Sequence, residues 1–140
     1  MNTEMFSNLN WLHILVATLA YYAIGAIWYS FLFQKPWIRH HKIDMNNPEA
    51  KKGAGLIFFL GFILNFLITT GLAILIYRTG AVGGVASGIK LGLTTGVLFS
   101  AAAISMTYLY LKKSTTLHIV DGGYHVVGQI VAAIILCVWQ

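Results

Sequence analysis

The sequence predicts an all-α fold, a polytopic membrane protein built as a bundle of four transmembrane helices. Three observations predict it. Hydrophobic residues make up 58% of the 140-residue chain and charged residues 9%, whereas a soluble domain carries about 25% charged residues. The mean hydropathy is +0.75, and a chain of this size could not bury so much apolar surface in water. The apolar residues fall into four long runs separated by polar gaps, each long enough for a hydrocarbon core of about 30 Å.

The elements follow in order. Residues 1–10 are polar and carry Glu4 but no Lys or Arg. A secretory signal needs a positive n-region, so the first apolar run, 11–33, is expected to be an uncleaved membrane helix. Residues 34–54 form the main polar loop, with Lys35, Arg39, Lys42, Lys51, Lys52 and the pair His40–His41. That pair among bases reads as a headgroup-facing surface. Asn47, Pro48 and Glu49 have the residue types of a helix cap and its first two positions, so the second helix is expected over 48–77, entering lipid near Gly55. Along it Gly61, Asn65, Thr69 and Ala73 recur every four residues, a small and polar stripe suited to close helix contact.

The third helix is expected over 85–111. Gly88, Gly92, Gly96 and Ser100 repeat at four, two overlapping GxxxG motifs extended by a serine. Missing Cβ atoms let two backbones approach, within this chain or between copies. The fourth helix is expected over 117–139. His118, Asp121, His125, Gly128, Gln129 and Ala132 fall within about 120° of one another at helical spacing, with aliphatic residues opposite.

Charge orients the bundle. The first and third gaps hold seven bases, Lys35, Arg39, Lys42, Lys51, Lys52, Lys112 and Lys113, while the second gap holds Arg78, with Lys90 inside the third helix. The positive-inside rule then puts the base-rich side in the cytoplasm and both termini outside a bacterial inner membrane. Trp28, Tyr29, Trp37, Tyr108, Tyr110 and Tyr124 gather at the base-rich level, and Trp11, Tyr77 and Trp139 at the other. The net charge of +5 is therefore read as orientation, with lipid rather than nucleic acid as the partner. The single cysteine, Cys137, allows no internal disulfide and reads as a small apolar residue.

Candidate functional residues concentrate on the fourth helix. Asp121 and His125 form a titratable pair four residues apart, supported by Tyr124, Gln129 and Asn65. Asp121 also suits the cap of a helix starting at Gly122, and His118, Asp121 and His125 together are a weak metal set, since one helix supplies all three ligands. Asn65 and Gln129, both near mid-helix, are candidates to bond each other. His13 reads as an interfacial residue. There is no nucleophile elbow, phosphate loop, paired carboxylate or Cys/His cluster, and no cofactor is indicated.

Two segments carry a family resemblance: Trp28-Tyr29-Ser30, Leu32-Phe33 and Lys35-Pro36-Trp37 closing the first helix, and Asp121-Gly122-Gly123-Tyr124-His125 opening the last. With four helices in this length, the chain resembles the small bacterial membrane proteins of domain-of-unknown-function family 1761. The resemblance implies a four-helix integral membrane protein and brings no activity. A fainter similarity, to the tryptophan-rich sensory proteins that bind porphyrins, rests on the Trp-Tyr and Lys-Pro segments. Those proteins have five helices and a Pro-Pro that is missing after Trp37.

Three functions fit the sequence. The first is ion or small-solute permeation through a polar site at Asp121 and His125. The second is binding of an apolar ligand or lipid among Trp28, Tyr29, Trp37 and Tyr124. The third is an accessory subunit, or a homo-oligomer, docked through the glycine stripe.

Overall fold

The computed structural model describes residues 3–139, and these form six helices and no strand. Four helices are long and apolar enough to cross a membrane. The short α1 (Glu4–Ser7) precedes α2 (Trp11–Leu32). Asn10 starts α2, its side-chain oxygen accepting from the amides of Leu12 and His13 at 3.1 and 3.2 Å, as an N-cap should. The last turn of α2, Trp28–Leu32, is wound as a π-helix. At Phe33 the chain leaves helical geometry and turns into α3 (Gln34–His41), which ends on left-handed Lys42.

The sequence reading carries the second membrane helix back to Pro48, but the structure divides it. Asn47 caps a single 3-10 turn, Pro48–Lys51, and left-handed Gly53 separates that turn from α4 (Ala54–Thr79). Gly80, at φ +64°, closes α4 by returning its amide to Ile76, the usual service of a glycine at a helix C-terminus. Helix α5 (Gly84–Tyr110) contains a second π-wound stretch, Gly96–Ala101. Helix α6 (Thr115–Val138) follows a two-residue bend after left-handed Lys112.

Helix α6 is the hub. Half of its span is buried, against 17–22% in the other three, and α2, α3, α4 and α5 all pack on it. The glycine stripe makes the closest of these contacts, and it makes it within the chain. A Cβ added to Gly88, Gly92 or Gly96 would collide with the backbone of Ile134, Ile130 or Val126, respectively. Four residues down α5 thus match four residues up α6. The stripe is filled by α6, so docking of another copy or of a partner subunit through it has no free surface.

The π turn then changes the register. Continuing at four would bring Ser100 against Gly122, but the residue that meets Gly122 is Ala101. One inserted residue rotates Ser100 off the seam, and its hydroxyl accepts from the Gln129 side chain. On the opposite flank Tyr21 of α2 lies flat against Gly128, where any Cβ would enter its ring.

Away from the base-rich end the core is apolar. Ile14, Ala17, Leu72, Ile76, Ala132, Ala133 and Leu136 are almost fully buried. Cys137 joins them, its thiol donating to the Ala81 carbonyl. At the base-rich end α4 stands away, and Leu56, Ile57, Phe58, Phe59 and Leu60 are all exposed. Such a run has no inward face, which suits a segment surrounded by lipid.

The seam yields a test. Gly92→Ala is expected to lower stability by about 1–3 kcal/mol through overpacking, whereas Gly71→Ala, with nothing within 4 Å, should be neutral or raise it by up to about 1 kcal/mol. Unfolding in mixed detergent micelles reads both, and equal effects would defeat the register described.

Candidate functional site

Asp121 sits in the second turn of α6 and is 7% exposed. The helix begins at Thr115 after extended Ser114, so Asp121 is an interior residue and the capping role open to it in the sequence is not the one it has. Three other helices bring donors to its carboxyl group. Tyr29 of α2 donates to Oδ1 at 2.6 Å, and Tyr108 of α5 donates to Oδ2 at 2.6 Å. His41, the last residue of α3, reaches Oδ2 through Nε2 at 3.2 Å. One short side chain therefore ties α6 to α2, α3 and α5.

The local winding explains how the donors arrive. Tyr29 lies in the π turn that closes α2, next to Trp28, and both reach α6: Trp28 Nε1 donates to the Val120 carbonyl at 2.9 Å. Trp37 and His41 are one turn apart on α3, so they share a face, and the Trp37 ring meets both Tyr29 and His41 edge-on. Tyr108 completes the ring, packing between His41 and His118. His41 therefore faces inward and is not part of a headgroup surface.

A second tier lies one turn deeper. Tyr124 is enclosed by Tyr21, Tyr29 and His125, and its hydroxyl accepts from Asn65 Nδ2 at 2.9 Å. His125 Nδ1 pairs with the Tyr21 hydroxyl. The third tier is Gln129, bonded to Ser100. Asn65 and Gln129 are therefore not partners: Tyr124 takes the first and the rotated Ser100 the second. His118, Asp121 and His125 do not converge either. His118 turns to Tyr108, Asp121 to two phenols and His41, and His125 to Tyr21. Among the described residues no three His, Cys, Asp or Glu side chains are placed to hold a metal ion.

From Asp121 to Gln129 the polar ladder climbs about 12 Å along α6. It then stops. Thr18 and Thr69, both 0% exposed, bond their own helix carbonyls, and Ala132, Ala133 and Leu136 close the layer. A separate cavity of about 290 Å³ lies at the far end, bordered by Asn10, His13, Tyr77 and Trp139 and reaching inward to Ile14, Ile76 and Leu136. There His13 stacks on Trp139 and meets Asn10.

The ladder is open sideways. Two clefts, about 470 and 400 Å³, lie beside α4, the first walled by α4 and α6 with Tyr22 of α2, the second by α2 with Phe58 of α4 and Tyr124 of α6. The first has Leu64, Leu67 and Ile68 as walls and Asn65, Tyr124 and His125 at its base. The second reaches Tyr29, Gly25 and Phe58. Tyr22 borders both, its hydroxyl bracing the Phe58 carbonyl at 3.0 Å. Gly25 keeps the space open, since a Cβ there would sit 2.9 Å from the Tyr124 oxygen. Of the four aromatics that the sequence offers for ligand binding, Tyr29 and Tyr124 line these clefts. Trp28 is engaged with Val120, Phe33 and Gly123, and Trp37 with Tyr29 and His41.

Sequence reasoning overlooked Tyr21, His41 and Tyr108. One signal was present: a tyrosine inside an apolar helix requires a partner for its hydroxyl, and the available carboxyl acceptor was Asp121. Tyr108→Phe is expected to cost about 1–3 kcal/mol, the value of a hydrogen bond to a carboxylate, and much less when Asp121→Leu is already present. A double-mutant cycle in the same unfolding assay reads the coupling; a coupling energy of zero would separate the two residues.

The model for a family described as a protein of unknown function, DUF1761, matches residues 12–137. No curated protein and no solved structure matches the chain. The matched region takes in all four spanning helices but for the first residue of α2 and the last of α6, together with every residue of the Asp121 ladder, and the chain belongs to this family of unknown function.

Proposed function

We propose that the protein binds a lipid-soluble molecule with a hydrogen-bonding head, admitted sideways from the bilayer beside α4. The carrying observation is an apolar cleft with a polar base. Its volume, about 470 Å³, is within the range of about 300–1,000 Å³ that small-molecule sites occupy. Its base offers both hydrogen-bond senses. The Tyr124 hydroxyl accepts from Asn65 and keeps its own hydrogen to donate. His125 uses Nδ1 on Tyr21, leaving Nε2, and Asn65 uses one N–H of its amide, leaving the other and the carbonyl oxygen. All three residues line the cleft.

The same geometry weighs against permeation through Asp121 and His125. A path across the bilayer needs polar or open ground on both sides of its midpoint, and between Gln129 and the far-end cavity stand fully buried Ala132 and Ala133 with Thr18 and Thr69 bonded to their own helices. Asp121 then serves as the anchor that holds Tyr29 and α3 beside the cleft. A photoreactive long-chain alcohol carrying a diazirine, added to the protein in lipid nanodiscs, is expected to label Leu64, Leu67 and Ile68, with labelling reduced in His125→Leu and Asn65→Leu. Labelling spread equally over the outer leucines Leu98 and Leu109 would sink the reading.

The seven-to-one distribution of bases supports a cytoplasmic location for the base-rich side in a bacterial inner membrane, with the termini outside. A thiol introduced as Asn8→Cys should react with a membrane-impermeant maleimide in intact cells with a permeabilised outer membrane, and Lys51→Cys only after lysis. The reverse pattern would invert the orientation.

A further inference from the structure

At the base-rich end, two segments far apart in sequence meet around a cavity of about 360 Å³ that the ladder does not use. Arg39 and Lys42 come from the end of α3, and Lys112 and Lys113 from the bend between α5 and α6. The segments are joined by a hydrogen bond between Ser114 Oγ and His40 Nδ1 at 2.8 Å. No side chain caps α6. Its first-turn amides add the positive end of a 24-residue helix to the same corner.

Among the described residues no carboxylate lies within ion-pairing distance of these four cations. The sequence has four Asp and Glu residues. Glu4 is in α1, toward the opposite end, and Glu49 lies 3.8 Å from Lys52. Asp44 accepts from the Asn46 amide, and Asp121 is taken up by two tyrosines and His41. The ion pairs among the described residues are His41–Asp121 and Lys52–Glu49, and neither involves Arg39, Lys42, Lys112 or Lys113.

The backbone also departs from its easiest course here. Lys42 and Lys112 are the only non-glycine residues with positive φ among those described, at 56° and 51°. Both stand where a helix ends, the position glycine fills at least cost. Both instead line the one cavity.

We propose that this corner is a binding site for a phosphate group, that of an anionic lipid headgroup. Converging cations with an uncapped helix start are the recognised chemistry for phosphate. The lipid source follows from the rim. Leu111 borders the cavity, and Met106, Leu109 and Tyr110 continue outward as an exposed apolar strip on which acyl chains can lie.

The full chain in nanodiscs of equal phosphatidylglycerol and phosphatidylcholine, examined by native mass spectrometry after gentle release, tests this. The expected result is several-fold preferential retention of phosphatidylglycerol, lost in Arg39→Gln/Lys112→Gln/Lys113→Gln and kept in Lys51→Gln/Lys52→Gln, which removes charge outside the cavity. Circular dichroism checks that each variant is folded, and Lys112→Gln alone replaces the triple variant if that one is not. Equal retention of the two lipids, or equal loss in the Lys51/Lys52 control, overturns the site as a mere basic surface. No preference for phosphatidylglycerol in the mixed nanodiscs, with a pyrophosphate adduct when pyrophosphate is added to phosphatidylcholine nanodiscs, would overturn the lipid source in favour of a soluble phosphate.

Discussion

A carboxyl group inside an apolar bundle must be satisfied by the protein, because hydrocarbon offers it nothing. A buried polar group left without a partner costs about 1–3 kcal/mol. Asp121 receives two hydrogen bonds from phenols and a third contact from His41. Meeting that demand draws Tyr29, Tyr108 and His41 inward from three helices, and with them the interfacial α3. Tyr29 in turn packs on Tyr124, which carries the constraint to Asn65 on α4. The base-rich half is organised around this one group.

The other half relies on close approach instead. Glycine spacing on α5 and aliphatic spacing on α6 interlock over three turns, and small residues elsewhere on α6 receive Tyr21 and Trp28. Two kinds of cohesion meet along one helix, and the π-wound stretch of α5 lies where they meet. Its extra residue ends the glycine seam and turns Ser100 to Gln129. The π turn of α2 acts in the same way for Trp28 and Tyr29. Inserted residues of this kind cost helix regularity and are retained where they aim side chains.

The division explains why the bundle is open where it is. Helix α4 is held by Thr69, Leu72, Ala73 and Ile76 in its apolar half but by Asn65 and the Tyr22 brace toward the other. The clefts beside α4 therefore lie at the polar tiers and face lipid. A ligand entering there meets hydrogen-bonding groups without crossing an aqueous path.

How much of this was legible differs by level. The apolar runs, their lengths and the GxxxG spacing come from local composition and periodicity, and these determined the all-α membrane class, because length against bilayer thickness and backbone satisfaction in lipid leave few alternatives. The polar face of the last helix was equally readable, so Asp121, Tyr124, His125 and Gln129 stood out. Their partners were not. Asn65 and Gln129 have matching chemistry and similar depth, yet the one-residue shift at Gly96–Ala101 gave Ser100 to Gln129, and no periodicity reports such a shift. His41 lies among bases and looks like surface until Phe33 turns α3 back across the bundle. By itself the sequence determined which helices form and which faces cannot meet lipid. Only the tertiary structure decided which polar group answers which, because partner choice depends on helix rotation and register, and a single inserted residue turns a side chain by about 100°.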